Sequence, residues 1–242
     1  MSSYNIIKVN ATKSTNDKVK MLIKSKKINN KDIISAKYQY KGRGQLTNRW
    51  FSSYGKNLLC SLYLDFTEDF NLPIYALNFA ASLSVLKTVN FFNYEKSFIK
   101  WPNDILSVNK KISGILIENN FKGSDLSYSI IGTGINVNQT RFNNLKYATS
   151  LKKISGKNID LDKVLDQLLK NYDTYFKRIH DMRYLSKEFN QNLYGKKKCK
   201  FLVKEKIFNG RVERVLDNGN LVAYVESIGS KEFKSSEIKI IY

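Results

Sequence analysis

Histidine is almost missing: His180 is the only one in 242 residues. A metal cluster built on several histidines is therefore excluded. A Ser–His–Asp or Cys–His catalytic arrangement would have to recruit His180. That residue lies in a stretch that reads as helical, beside Tyr172, Tyr175, Phe176 and Ile179, which points to a surface or packing role. Cysteine is scarce too. Cys60 and Cys199 are far apart and form no C-x-x-C, so neither a disulfide framework nor a zinc knuckle is indicated. No apolar run approaches the roughly 20 residues of a membrane span. The stretch from Met1 to Ser14 lacks the apolar centre of a secretory signal, so the expected compartment is the cytoplasm. Acidic residues are outnumbered: 41 Lys and Arg stand against 21 Asp and Glu, a net charge of +20. Such a field attracts polyanions and acidic proteins without choosing among them. The lysines are dispersed, which argues against a dedicated basic tail.

Apolar residues make up 42% of the chain and aromatics 13%, enough for a sizeable core. Apolar spacing predicts a helix over 15–27, a strand from Ile33 to Tyr38 and a Gly/Arg/Asn/Ser-rich loop over 39–56. It then predicts a buried strand from Leu58 to Leu64 and a helix opened by Pro73 and running to Thr88. Strands at Phe98–Trp101, Ile112–Glu118 and Tyr128–Ile135 follow, then a polar loop over 138–150. Asp160 caps a strong helix carrying Leu161, Val164, Leu165, Leu168, Leu169 and Tyr172. From Lys197 the pattern changes to short strands: Cys199–Val203, Gly210–Leu216, Leu221–Val225 and Glu232–Ile241. Asp217-Asn218-Gly219-Asn220 is a hairpin signal between two of them. The reading is α+β: a mixed-sheet domain over 1–194 and a small β-module, of SH3-like size, over 195–242.

Four segments carry chemistry. Ser14-Thr15-Asn16 opens the first helix and alone reads as an ordinary N-cap. Gly42-Arg43-Gly44-Gln45, reached through Gln39 and ending at Arg49-Trp50, lets backbone N–H groups approach an anion while arginine supplies a forked cation. It is neither a Rossmann fingerprint nor a Walker A loop. Lys100-Trp101-Pro102-Asn103-Asp104 uses one of two tryptophans and one of two prolines. Its stiff Trp-Pro step presents an amide and a carboxylate, the latter suited to a cation or an amine. Lys111 to Glu118, and Gly132-Thr133-Gly134-Ile135-Asn136, are strands with glycines where the backbone must be approached closely.

In this order the segments resemble the biotin protein ligases. That family's signatures are S-T-N, a G-R-G loop ending in Trp, K-W-P-N-D, K-x-x-G-I-L-x-E and G-x-G-I-N. Ala148-Thr149-Ser150-Leu151 resembles its adenylate-loop ending. The resemblance implies a class II synthetase-like mixed β-sheet catalytic domain with helices on one face, plus a C-terminal SH3-like β-barrel. No helix-turn-helix precedes Ser14, as in the short class without a DNA-binding domain, so specific DNA binding is not expected; nor is a membrane partner.

The resemblance also implies an activity: biotin and ATP, with Mg²⁺, form biotinyl-5′-AMP, and biotin passes to a lysine of a biotin carboxyl carrier protein. By the same resemblance, biotin is lined by Ser14, Thr15, Asn16, Gln39, Gly42, Arg43, Lys111, Gly114 and Gly132. The nucleotide falls to Arg43, Gln45, Trp50, Asn103, Asp104, Lys111 and Asn136, with Trp50 stacking on adenine. Lys111 and Arg43 are the expected catalytic cations. Asp104 is the group expected to orient or deprotonate the acceptor amine. No residue is assigned as a metal ligand. Gln45 departs from the family, which has an arginine there linked to holding the intermediate. Some family members dimerise through sheet edges, so monomer and homodimer both stay open. Three other readings stand beside this one: a lipoate or octanoate ligase or transferase of the same fold, a non-catalytic biotin-binding homologue, and a nucleic-acid-binding protein.

Overall fold

A computed structural model describes residues 4–67, 72–93, 95–143 and 145–242. The first half builds a seven-stranded sheet in the order β1-β2-β3-β7-β6-β5-β4. Its strands are β1 (Asn5–Thr12), β2 (Asp32–Gln39), β3 (Leu58–Asp65), β4 (Ser97–Lys100), β5 (Asp104–Ser107), β6 (Lys110–Lys122) and β7 (Asp125–Ile135). Only β1 and β2 run parallel. A parallel pair needs a crossover, and α1 (Thr15–Lys24) supplies it. The other neighbours pair antiparallel, so the sheet is mixed, as expected.

Strand alternation divides the apolar residues between two faces. Ile33, Leu62 and Ile131 join the main core under α2 (Ile74–Phe91) and α4 (Leu161–Phe176). Ile34, Tyr63 and Ile130 point the other way and pack against Val19 of α1. The expected layer of helices on one face is therefore present, and α1 lies on the opposite face. The central strands carry little bulk on that α1 face. Gly132 pairs with Ser61 and Leu116, and Gly134 pairs with Leu59 and Gly114. The resulting hollow positions the candidate site.

Several elements escaped the sequence pattern. The edge strand β1 is mostly exposed or half-buried, so it carries no strong apolar signal. β5 is only four residues long. The helices α3 (Leu151–Ser155) and α5 (Met182–Gln191) are short, although the side chains of Ser150 and Asp181 cap them. His180 is exposed in the turn after α4, outside any helix.

The C-terminal stretch forms a five-stranded antiparallel sheet in the order β11-β10-β9-β8-β12. Its strands are β8 (Cys199–Val203), β9 (Lys206–Val215), β10 (Leu221–Val225), β11 (Gly229–Phe233) and β12 (Ile238–Ile241). The single strand expected over Glu232–Ile241 is two, because Lys234 N–H bonds the Glu237 carboxylate in a turn between them. Phe201, Val212 and Leu221 belong to the same buried cluster as α2 and α5, so this module shares its core with the first sheet. The hairpin tip docks as well. Trp101 Nε1 donates to the Gly219 carbonyl at 2.9 Å.

Candidate active site

The α1 face holds two connected groups of residues. The first gathers around the start of α1. Thr15 donates through its backbone N–H and its hydroxyl to Gln39 Oε1, at 2.7 and 3.0 Å. The Ser61 hydroxyl lies 2.6 Å from Thr15 Oγ1 and 2.5 Å from Asn16 Oδ1. A Cβ at Gly132 would collide with the Asn16 amide, so that glycine makes room for a protein side chain. Thr15, Asn16 and Gln39 meet here, with Gly42 beside the Gln39 amide. Ser61 was missed, since a serine inside an apolar strand carries no motif.

Glu118 ties this group to the loop. Its carboxylate accepts from Asn16 Nδ2 at 2.7 Å, from Lys20 Nζ at 2.8 Å and from both terminal nitrogens of Arg43 at 3.0 and 2.7 Å. Asp17 adds a second ion pair to Arg43 at 2.9 Å. Burial disfavours the Glu118 charge, but the bonds from Arg43, Lys20 and Asn16 win and hold its pKa below the usual value. For Arg43 too, burial opposes the charge, and Glu118 and Asp17 outweigh it and raise the pKa. Arg43, expected beside Lys111 at the phosphates, is bound by Glu118 and Asp17. An isolated antiparallel bridge joins Arg43 to Arg49 within the loop, and the Arg43 side chain meets Asp17 of α1 and Glu118.

A folded pKa below the unfolded one stabilises above the unfolded value, roughly pH 4.3, and the contribution fades as pH falls through the folded value. Glu118→Gln should therefore cost about 1–2 kcal/mol at pH 7. Wild type and variant should converge in denaturant midpoints as pH falls below the folded value. A pH-independent gap would assign the loss to packing instead.

The second group lines a cavity of about 350 Å³, built from Arg49, Trp50, Phe51, Lys111, Asn136, Phe142, Leu145, Lys146, Tyr147, Ala148 and Tyr242. Trp50 lies flat over the glycine pair. A Cβ at Gly114 would come 3.0 Å from its ring, and one at Gly134 only 2.6 Å. The indole Nε1 is buried without a hydrogen-bond partner among the described residues. Lys111 Nζ is 2.6 Å from Asp104 Oδ1 and 5.7 Å from the centre of the Trp50 ring. Lys100 Nζ stands 3.7 Å from the other Asp104 oxygen. Burial lowers the Lys100 pKa against the pull of Asp104. The segment over 145–149 is stitched to β6, with Lys111 N–H donating to the Tyr147 carbonyl at 2.7 Å and Thr149 N–H to the Lys111 carbonyl at 2.9 Å.

Of the residues expected at the nucleotide, Trp50, Lys111 and Asn136 line this cavity, and Arg43, Gln45, Asn103 and Asp104 stand outside its lining. Asn103 gives its amide to the Ile115 carbonyl at 2.6 Å and so clamps the Lys100–Asp104 turn to β6. Gln45 is exposed in the tight turn that Asn48 N–H closes, outside the cavity lining. Asn136 does reach the cavity, braced by the Thr149 carbonyl at 2.9 Å. Arg49, Lys146, Tyr147 and Tyr242 were missed. Arg49 stood in the quoted loop motif, but nothing local to the other three marks them.

Fold and cavity define a mixed-sheet protein with a cavity lined by cations and aromatic rings. The chain belongs to the biotin/lipoate A/B protein ligase family, whose model matches residues 9–136. It is 32% identical over 112 residues to the bifunctional ligase/repressor BirA of Salmonella typhimurium, covering 46% of this chain and 34% of that protein. It is 35% identical over 142 residues to BirA of Bacillus subtilis, covering 57% of this chain and 43% of that one. The aligned region thus spans about a third of the first relative's length. The solved biotin protein ligase of Aquifex aeolicus, in complex with biotin and ATP, superposes with a TM-score of 0.80 at 28% identity, over 98% of both chains.

Proposed function

We propose that this protein is an ATP-dependent biotin protein ligase acting on a biotin carboxyl carrier protein. The observation that carries the reading is the cavity itself. A lysine–aspartate pair, Lys111–Asp104, stands beside a tryptophan seated on two glycines. The relatives and the Aquifex structure support biotin and ATP as the ligands.

In the first half-reaction a biotin carboxylate oxygen attacks the α-phosphorus of ATP and pyrophosphate leaves. Lys111, with Arg49 and Lys146 at the rim, neutralises the gathering negative charge. Arg43, bound to Asp17 and Glu118, anchors the loop that carries Trp50. Thr15, Asn16, Gln39, Gly42 and Ser61 form the wall for biotin. The orphan Trp50 N–H supplies a donor for the bound intermediate. In the second half-reaction the acceptor lysine amine attacks the acyl carbon and AMP leaves. Once phosphate draws Lys111 away, Asp104 is free to receive the amine's proton. No cluster of three His, Cys, Asp or Glu occurs among the described residues. Mg²⁺ would enter with ATP as its counterion, and Asp104, paired with Lys111, is a carboxylate that would face it. The sheet domain over 1–194 carries most of the cavity lining and the module over 195–242 adds Tyr242.

Isotope exchange from pyrophosphate into ATP tests the reading. Exchange dependent on biotin supports it. Exchange dependent on lipoate or octanoate moves the chain to the other branch of the family. Absence of exchange with any of these acids, from folded protein, sinks it.

A further inference from the structure

The second sheet reaches the cavity at one point. Tyr242, which follows β12, is a lining residue together with Trp50, Lys111 and Asn136. Its ring meets Tyr147 edge-on, with centroids 6.0 Å apart. The buried Lys100 ammonium lies 4.9 Å from the same ring and 3.7 Å from Asp104. Burial and the Asp104 charge both raise the Tyr242 pKa, so the phenol is neutral.

An independent contact holds this sheet in place. The Gly219 carbonyl accepts from the Trp101 indole at 2.9 Å, and the Tyr75 ring covers Gly219 so closely that no Cβ would fit. The Lys100–Asp104 turn is thus gripped twice by the second sheet, at Trp101 by the hairpin tip and at Lys100 by Tyr242. The cavity's cations are Arg49, Lys111 and Lys146, and Tyr147 and Tyr242 form a paired aromatic surface beside them. Aromatic faces of this kind bind nucleobases by stacking, with little demand on hydrogen-bond pattern.

We propose that Tyr242 is a nucleotide-binding residue: an aromatic wall for the nucleotide base, carried into the site by the second sheet. The proposal rests on the nucleotide reading of the cavity. It places base binding partly on the C-terminal module, which no motif of the first sheet would suggest.

Calorimetric titration of α,β-methylene-ATP in saturating biotin tests it on wild type, Tyr242→Phe and Tyr242→Ala. The alanine variant should bind about tenfold more weakly, or about 1.4 kcal/mol. The phenylalanine variant should stay within about twofold of wild type, since it keeps the ring. Biotin affinity should be equal in all three. Equal nucleotide affinity in wild type and Tyr242→Ala overturns the proposal. So does a phenylalanine variant as weak as alanine, which would put the effect in the hydroxyl, or a parallel loss of biotin affinity, which would mark a general structural role. Wild type that binds the analogue but exchanges no pyrophosphate would sink the ligase reading and leave the role of Tyr242 standing. Wild type that binds no nucleotide would overturn both.

Discussion

Lys111→Ala should lose roughly a hundred- to a thousandfold in the rate of single-turnover adenylate formation, the scale of removing one preorganised group that stabilises transition-state charge. On the proposed reaction a carboxylate and a triphosphate meet in the cavity, and Lys111 is the lining cation that also touches Asp104. The fold should survive the change. The Lys111 side chain is 31% exposed, and Lys100 still faces the Asp104 carboxylate at 3.7 Å. A thermal melt close to wild type with the chemical step nearly abolished is the expected pair of results. Rapid-quench measurement of biotinyl-5′-AMP separates this step from transfer. A variant that forms adenylate at the wild-type rate removes Lys111 from the mechanism. Asp104→Asn should behave differently, with adenylate still forming and the transfer step slowed, because its carboxylate is assigned to the acceptor amine.

Gly134→Val should evict Trp50. The position lies in ordinary extended strand, where valine is otherwise well suited, so backbone strain is not the issue. Space is the issue: the new Cβ would sit 2.6 Å from the indole, well inside contact distance. Either the ring leaves the glycine pair or the strand shifts, at a cost of about 1–3 kcal/mol. Nucleotide affinity should fall about tenfold or more with the stacking surface gone. Fluorescence gives an activity-free readout. The chain has two tryptophans, and Trp101 is buried at 4% exposure, so a red shift on Gly134→Val reports Trp50 entering water. Unchanged emission with unchanged ATP binding would show that the indole is not seated on these glycines.

Much of the framework was legible from the residues alone. Period-2 and period-3.6 apolar spacing marked β2, β3, β7, α1, α2 and α4, and Asp160 marked the start of α4 by its cap. The two G-x-G segments announced close approach, and the glycines at 132 and 134 do accept Asn16 and Trp50 where other residues would carry side chains. Lys111 and Asp104 were named from separate motifs and meet at 2.6 Å, because β5 and β6 are a hairpin and local pairing brings them together.

What stayed hidden depended on partners distant in sequence. Arg43 looked like a phosphate ligand, since a cation in a glycine loop is read by its neighbours. Glu118, 75 residues away, decides which way it turns. Asn103 looked like a nucleotide contact, and the register of β6 hands its amide to Ile115 instead. Ser61 and Tyr242 had no signal at all, one in an apolar strand and the other on a separate sheet. The sequence by itself determined the elements, the glycine hollow and the charged residues available to the site, because periodicity and backbone freedom are local properties. The tertiary structure decided which charges neutralise each other and which remain for a substrate, because that choice depends on strand register and on the docking of two sheets, energies summed over contacts that no short stretch of chain contains.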